Sequence, residues 1–337
     1  MFYRGLLRPL LFSLPPERAH ALAEWALRRR GLWKLLAPSP SAHDPALNTT
    51  LASIPIANPL GVAAGCDKDC AYLDSLKGLG FGYVVGGTVT LHPRPGNPRP
   101  RLLRKPRQEA LINALGFPGQ GMDAVESNLR KSSANPFLLS ISGLTIDEFT
   151  QCYRRASPLS QGVELNVSSP NTAGLRVFHE PQAFRGLLEQ INRYRATPLF
   201  VKIPPYHDAE EQENVLTLVR ISREQGVDGI TAANTRPVEE PALKMGRGGL
   251  SGKPLLPDTL RIIAQMRNEV GAGMTINACG GISSAEDVVR CLKAGADTVQ
   301  LYTALVYQGP GLVRKINRDL SRILRRSALS SIRHLKP

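Results

Sequence analysis

Several side chains of this 337-residue sequence are of types that do chemistry, and they stand beside glycines rather than inside apolar runs. The string Asn166-Val167-Ser168-Ser169-Pro170-Asn171-Thr172 packs amides and hydroxyls into one short stretch, and Asn113 and Asn234 supply further amides from distant segments. An amide both donates and accepts, which is what reading a planar ligand with alternating N–H and C=O groups requires. Asn and Thr are also ordinary turn residues, so each alone says little. Lys68, in Gly65-Cys66-Asp67-Lys68-Asp69, and Lys202, in Phe200-Val201-Lys202-Ile203, are single lysines at the ends of apolar runs. A buried ammonium needs an anionic partner. That partner is a bound anion, an electron-rich ring or a structural carboxylate such as Asp67. Gly280-Gly281, with donors added from a loop at Gly249-Leu250-Ser251-Gly252, exposes backbone N–H groups suited to a phosphate. The alternative is that these glycines merely turn the chain.

The elements that must position these groups show as a rhythm from Asn58 onward, where short apolar or β-branched runs alternate with longer amphipathic ones. The candidate strands are Leu60–Ala64, Tyr83–Gly87, Phe137–Ser142, Val163–Val167, Leu199–Ile203, Gly229–Ala233, Met274–Ala278 and Thr298–Tyr302. The spacing predicts helices over Tyr72–Leu79, Met122–Lys131, Pro181–Arg195, Glu210–Gln225, Leu256–Val270, Ala285–Ala294 and Gly311–Arg326. Eight such alternations point to an α/β fold, a parallel (β/α)8 TIM barrel. An open doubly wound sheet is the rival, and the count of eight favours closure. Function in such a barrel gathers past the strand ends on one face. The strings Ala64–Lys68, Gly86-Gly87-Thr88, Asn166–Thr172, Ala233-Asn234-Thr235, Cys279-Gly280-Gly281 and Tyr302-Thr303 all fall there. Gly280-Gly281 after the seventh strand and Tyr302-Thr303 after the eighth occupy the place where barrels commonly bind phosphate.

Composition narrows the classes further. A hydrophobic share of 42% excludes intrinsic disorder, and no apolar run reaches the ~18 residues of a membrane-spanning helix. Five scattered cysteines suit a reducing cytosol better than a disulfide framework. Cys66 and Cys70 read as ordinary thiols, because no further Cys/His pair has zinc-site spacing, so no metal is expected. The formal charge of +14 lies at the ends: a net of +5 over residues 1–38 and +7 over 311–337, which leaves +2 for the body. No aromatics interleave the basic C-terminal helix, which argues against nucleic acid. Residues 1–40 read as an amphipathic helical hairpin, broken at Pro15-Pro16, with Arg4 and Arg8 beside Phe2, Leu6, Leu10 and Trp25. Such a segment suits an anionic membrane interface; a hairpin simply packed on the body is the alternative. The linker Ser39–Pro45 separates it from a barrel domain spanning 45–337.

The string Asn166–Thr172, continued by Ala173-Gly174-Leu175-Arg176, resembles dihydroorotate dehydrogenase when joined with Lys68 in its string and Gly280-Gly281. The resemblance runs from about Asn58 to Pro310. Pro16-Glu17-Arg18-Ala19-His20 resembles the opening motif of the membrane-associated, quinone-using class. The resemblance implies an FMN-binding barrel that oxidises dihydroorotate to orotate in pyrimidine synthesis. It further implies that a membrane quinone reoxidises the flavin through a hydrophobic tunnel formed by the N-terminal helices, on the cytoplasmic face of the inner membrane. It implies Ser169 as the base that takes the C5 proton, with Thr172 and Phe117 lining the relay. It places Lys68, Asn113, Phe117, Asn166, Asn171, Asn234 and Thr235 around the substrate. Around FMN it places Ala64, Gly65, Lys68, Thr88, Ser140, Asn166, Lys202, Gly252, Gly280, Gly281, Tyr302 and Thr303. His20, Arg104 and Tyr302 match positions near the quinone. Ser140-Ile141-Ser142-Gly143 and Val201–Tyr206 resemble the soluble classes instead, and Ala233 stands where a flavin-contacting threonine is usual. The other readings are a soluble-class or altered-substrate FMN-dependent dehydrogenase, and a non-catalytic barrel that has lost flavin.

Overall fold

The computed structural model describes residues 3–29, 43–169, 172 and 174–336. Its first elements are a π-helical turn (Tyr3–Leu7), α1 (Arg8–Ser13) and α2 (Pro16–Arg28). Pro15 and Pro16 separate the two helices, and Pro16 suits the first turn of α2 because that turn has no N–H partner to lose. Residues 32–36 and most of the expected linker lie outside the described residues. Next come β1 (Thr49–Leu51) and β2 (Ile54–Ile56), an antiparallel hairpin. Its Leu51, Ile54 and Ile56 pack on Tyr83, Val85, Leu138 and Phe200 and plug one end of the barrel.

The remaining strands in chain order are β3 (Leu60–Val62), β4 (Tyr83–Val89), β5 (Leu102–Lys105), β6 (Ala110–Asn113), β7 (Phe137–Ile141) and β8 (Gly162–Asn166). They continue with β9 (Leu199–Lys202), β10 (Gly229–Ala232), β11 (Arg236–Glu239), β12 (Arg247–Gly252), β13 (Thr275–Cys279) and β14 (Thr298–Leu301). Strands β3, β4, β7, β8, β9, β10, β13 and β14 close into a parallel barrel. They are the eight strands expected from the sequence, with ends shifted by one or two residues. Parallel strands covered by helices are buried on both faces, so each reads as an apolar run without alternation.

The helices that cover them are α3 (Leu73–Lys77), α4 (Gly121–Leu129), α5 (Ile146–Ala156), α6 (Pro181–Asn192), α7 (Ala209–Glu224), α8 (Leu256–Val270), α9 (Ala285–Lys293), α10 (Thr303–Gln308) and α11 (Leu312–Arg326). Side-chain caps fix several starts: Thr145 accepts from Glu148 N at 3.1 Å, Asp208 from Glu211 N at 2.8 Å and Ser284 from Asp287 N at 3.2 Å.

A second sheet, of antiparallel order β11-β12-β6-β5, sits beside the barrel mouth with a small core of its own around Ile112, Leu243, Leu250 and Leu255. The glycine string at 249–252 therefore lies in a strand paired with β6, not in the loop expected for it. The helical hairpin docks here. Glu17 pairs with Arg99 at 2.5 Å and Arg101 at 2.8 Å, and Ser75 donates to the Leu27 carbonyl at 2.6 Å. Arg104 on β5 donates to the carbonyls of Leu14 at 2.8 Å and of Phe12 and Leu11 at 3.3 Å, satisfying acceptors that the end of α1 leaves open.

Large barrel interiors are usually filled with branched aliphatic side chains. Here the layers below the mouth are polar: Glu164, Thr231, Asn277, Thr298, Gln300 and Tyr83 are fully buried. Thr231 donates to Glu164 at 2.7 Å, Thr298 to Asn277 at 2.6 Å, and Tyr83 meets Thr298 at 2.9 Å.

Candidate active site

The mouth of the barrel and the docked hairpin enclose a cavity of about 820 Å³, inside the ~300–1,000 Å³ range of ligand and cofactor sites. Strand ends supply its polar end. Asn166 closes β8, its amide donating to Thr88 Oγ1 at 2.9 Å and accepting from Asn234 Nδ2 at 3.4 Å. Asn234 also donates to Ser168 Oγ at 3.0 Å and accepts from the Thr235 N–H at 2.8 Å. Asn113, at the end of β6, donates to the Gly249 carbonyl at 3.3 Å. Asn166 and Asn234 are thus held by each other, Asn113 by the backbone of β12, and all three border the cavity. Ser169 lines it beside them, its hydroxyl 3.1 Å from that of Thr172. Phe117 also lines it, from a left-handed backbone position, φ 54°, that non-glycine residues seldom adopt.

The residues expected at the site converge. Ala64, Gly65, Lys68, Thr88, Asn113, Phe117, Asn166, Ser169, Lys202, Asn234, Thr235, Gly252, Gly280, Gly281, Tyr302 and Thr303 all border this cavity, as do His20 and Arg104. Thr172 stands behind Ser169, and Ser140 behind Thr88 at 3.1 Å. Asn171 lies outside the described residues. Among the described residues no cluster of His, Cys, Asp or Glu could hold a metal.

Electrostatics removes the alternative of a structural carboxylate beside Lys68. Lys68 does not pair with Asp67, whose carboxylate accepts from the backbone N–H groups of Ala71 at 2.8 Å and Tyr72 at 2.7 Å. Burial nonetheless pushes Asp67 up to about 6. Lys68 meets His20 instead: His20 Nε2 lies 3.2 Å from Lys68 Nζ and 3.1 Å from Glu24 Oε1, and its Nδ1 lies 3.4 Å from the Tyr302 hydroxyl. Burial opposes the charge of Glu24, but the hydrogen bond to His20 and the charges of Lys68 and Arg28 hold its carboxyl below the usual range. Cys279 closes β13 beside the cavity. It lies against buried Lys202, and burial raises its thiol pKa.

Sequence reasoning passed over Glu24, Glu164, Ser168 and Gln300. The i, i+4 spacing of His20 and Glu24 on a helix was a usable signal. Glu164 and Gln300 gave none, because a lone polar residue inside an apolar strand does not reveal which way it points.

His179 steadies the loop that carries Ser169, with its Nε2 2.9 Å from the Val167 carbonyl. Burial lowers its pKa below the ordinary 6.5. The unfolded chain then binds the proton more readily, so stability is fully present above pH 6.5 and falls as pH drops below it. We expect the melting temperature of His179→Phe to fall less between pH 7 and pH 5 than that of the wild type. Parallel melting curves for the two proteins would remove this role from His179.

Comparison with known proteins decides the family. The family model described as dihydroorotate dehydrogenase matches residues 46–324. The chain belongs to the dihydroorotate dehydrogenase family. It is 39% identical to a dihydroorotate dehydrogenase (quinone) from Acidithiobacillus ferrooxidans, covering 98% of each chain. It is 39% identical to one of the same name from Erythrobacter litoralis, covering 97% of each. Its fold matches a crystal structure of DHODH from Eimeria tenella in complex with ferulenol at a TM-score of 0.85, with 26% identity over 97% of both chains.

Dihydroorotate dehydrogenases are flavin-dependent, and two features of this cavity fit a flavin. Gln300 borders the cavity, buried, with neither amide atom hydrogen-bonded. A ring edge carrying both donors and acceptors would satisfy it, whereas an empty apolar floor would not. Near the other end Gly252 and Gly281 leave no room for a side chain: a Cβ would fall 2.4 Å from the Glu109 carbonyl oxygen and 2.3 Å from the Leu256 nitrogen, respectively.

Proposed function

We propose that this chain oxidises dihydroorotate to orotate in pyrimidine synthesis, holds FMN as its flavin, and passes the electrons to a membrane quinone. The observation that carries this reading is that one cavity has both a polar and an apolar lining. The lining is of two kinds: polar side chains from the barrel mouth, Asn113, Asn166, Asn234, Lys68 and Ser169, and apolar ones from the hairpin and β5, Leu7, Leu11, Phe12, Ala23, Leu27 and Leu102. A small polar substrate and a hydrophobic acceptor thus each find a lining of matching chemistry in one cavity.

The flavin, when bound, supplies the two-electron acceptor. The protein's own part is orientation and proton handling. The amides and Thr235 present donors and acceptors to the ring of the substrate, and the Lys68 ammonium suits its carboxylate. Ser169 takes the C5 proton and passes it along the contact with Thr172, because a serine hydroxyl is too weak a base to keep it. Lys202 and Gln300 would hold the flavin ring, and the segments around Gly252, Gly281 and Thr303 would hold its phosphate.

The hairpin is the proposed membrane contact, peripheral and on the cytoplasmic face of the inner membrane. Its Leu6, Leu10, Leu22 and Trp25 are exposed beside Arg4, Arg8, Arg18, Arg28 and Arg29. That pairing suits an anionic interface. Among the described residues no helix is long and apolar enough to cross a membrane. The test is turnover of dihydroorotate by the purified protein with a soluble quinone analogue or with fumarate. We expect turnover with the quinone analogue; turnover with fumarate alone would assign the chain to the soluble classes.

A further inference from the structure

Below the mouth, the barrel holds an ionisable group that the proposed chemistry does not use. Glu164 on β8 is fully buried. Its Oε2 accepts from Thr231 at 2.7 Å, while its Oε1 is buried with no hydrogen-bond partner. A buried carboxylate with one oxygen unsatisfied is costly unless a countercharge lies near. Lys202 on the neighbouring strand β9 pairs with Asn166, two residues along β8 from Glu164 and on the same face of the strand, which places its charge close to Glu164 without a direct ion pair. Lys202 is buried and borders the cavity. Burial disfavours its ammonium, but Cys279 and Glu164 beside it more than offset this and hold its pKa above the ordinary value.

We propose that Glu164 is the buried counter-charge of Lys202 and, through it, a positioning residue that sets the reduction potential of the flavin above. The inference rests on the flavin reading of the cavity. Reduction adds negative charge to the ring system, so an ammonium beneath it favours the reduced form and a carboxylate behind that ammonium tempers the effect. The other titratable groups facing the pair are Tyr83 on β4 and Cys279 on β13, and burial raises the pKa of both. Thr231, Asn277, Thr298 and Gln300 carry no charge.

Glu164→Gln keeps an acceptor for Thr231 and removes the charge. Lys202 is then unopposed at low pH and loses its proton more readily as pH rises. The experiment is the flavin midpoint potential of the purified holoenzyme by dye equilibration from pH 6 to pH 9. It is made for wild type, Glu164→Gln, Glu164→Leu, Lys202→Met and the Glu164→Gln/Lys202→Met double variant. We expect both Glu164 variants to raise the potential at pH 6, and the plot against pH to gain a break absent from the wild type. With Lys202→Met in place, Glu164→Gln should shift the potential less than it does alone. Potentials unmoved in the Glu164 variants, or an equal shift in the double variant, would overturn the proposal. Two replacements of different shape keep the result readable if one folds poorly. Dye equilibration needs neither dihydroorotate nor quinone, so an error in the proposed substrate would leave this result intact.

Discussion

Ser169→Ala is expected to slow reduction of the bound flavin by dihydroorotate by ~10²–10⁴, the usual contribution of a positioned acid–base group. The hydroxyl of Ser169 borders the cavity and sits 3.1 Å from that of Thr172, so its removal takes away both the proton acceptor and the first step of its exit. Nothing else is expected to change. The amides of Asn166 and Asn234 are held by Thr88 and Ser168, not by Ser169, so substrate should still bind. Anaerobic stopped-flow reduction separates the two effects, because the limiting rate should collapse while the concentration giving half that rate stays within a few-fold. Ser169→Cys should recover part of the rate, rising with pH as its thiol ionises near ~8.5. Reduction of Ser169→Ala at the wild-type rate would move the base elsewhere.

Gly281→Ala is expected to weaken flavin binding by about 100-fold, equivalent to ~3 kcal/mol. Gly281 has φ +79°, where a side chain is strained, and its added Cβ would stand 2.3 Å from the nitrogen and 2.7 Å from the Cα of Leu256. Those are backbone atoms at the first residue of α8, which cannot swing aside as a flexible side chain would. The loop after β13 must therefore move, and with it the end of the cavity assigned to the phosphate. Gly273→Ala is the control, since its Cβ would meet nothing within 4 Å. Flavin released per protein, measured by absorbance after acid precipitation, should drop for Gly281→Ala and hold for Gly273→Ala. Full occupancy in both would remove the phosphate from this loop.

The barrel was legible because burial on both faces leaves a signature that needs no partner to interpret. Val84 and Val85, Leu138 and Leu139, and Leu199–Val201 are apolar whichever way they point. The antiparallel sheet was not legible. Leu102–Lys105 and Arg236–Glu239 are short, partly exposed and separated by more than 120 residues, so their pairing through β6 and β12 depends on the barrel that brings them together. Helix α5 was missed for a related reason. Its sequence, IDEFTQCYRRA, has a polar average, and its buried face of Phe149, Cys152, Tyr153 and Ala156 shows only at helical spacing.

The candidate site divides in the same way. Loop residues such as Asn166, Ser169 and Gly281 stood out because polar and glycine strings interrupt apolar runs at each strand end. Arg104 was expected near the quinone from the resemblance alone, and its hold on the Leu14 carbonyl follows from docking, which no local pattern encodes. Glu164 and Gln300 escaped because inward and outward positions of a doubly buried strand look alike in sequence.

The most direct measurement is the visible spectrum of the purified protein, recorded anaerobically before and after dihydroorotate is added. The account predicts a flavin spectrum that bleaches on addition of dihydroorotate and returns when a quinone analogue follows. A preparation that stays colourless after FMN is supplied, or a flavin spectrum that dihydroorotate leaves unchanged, would contradict it.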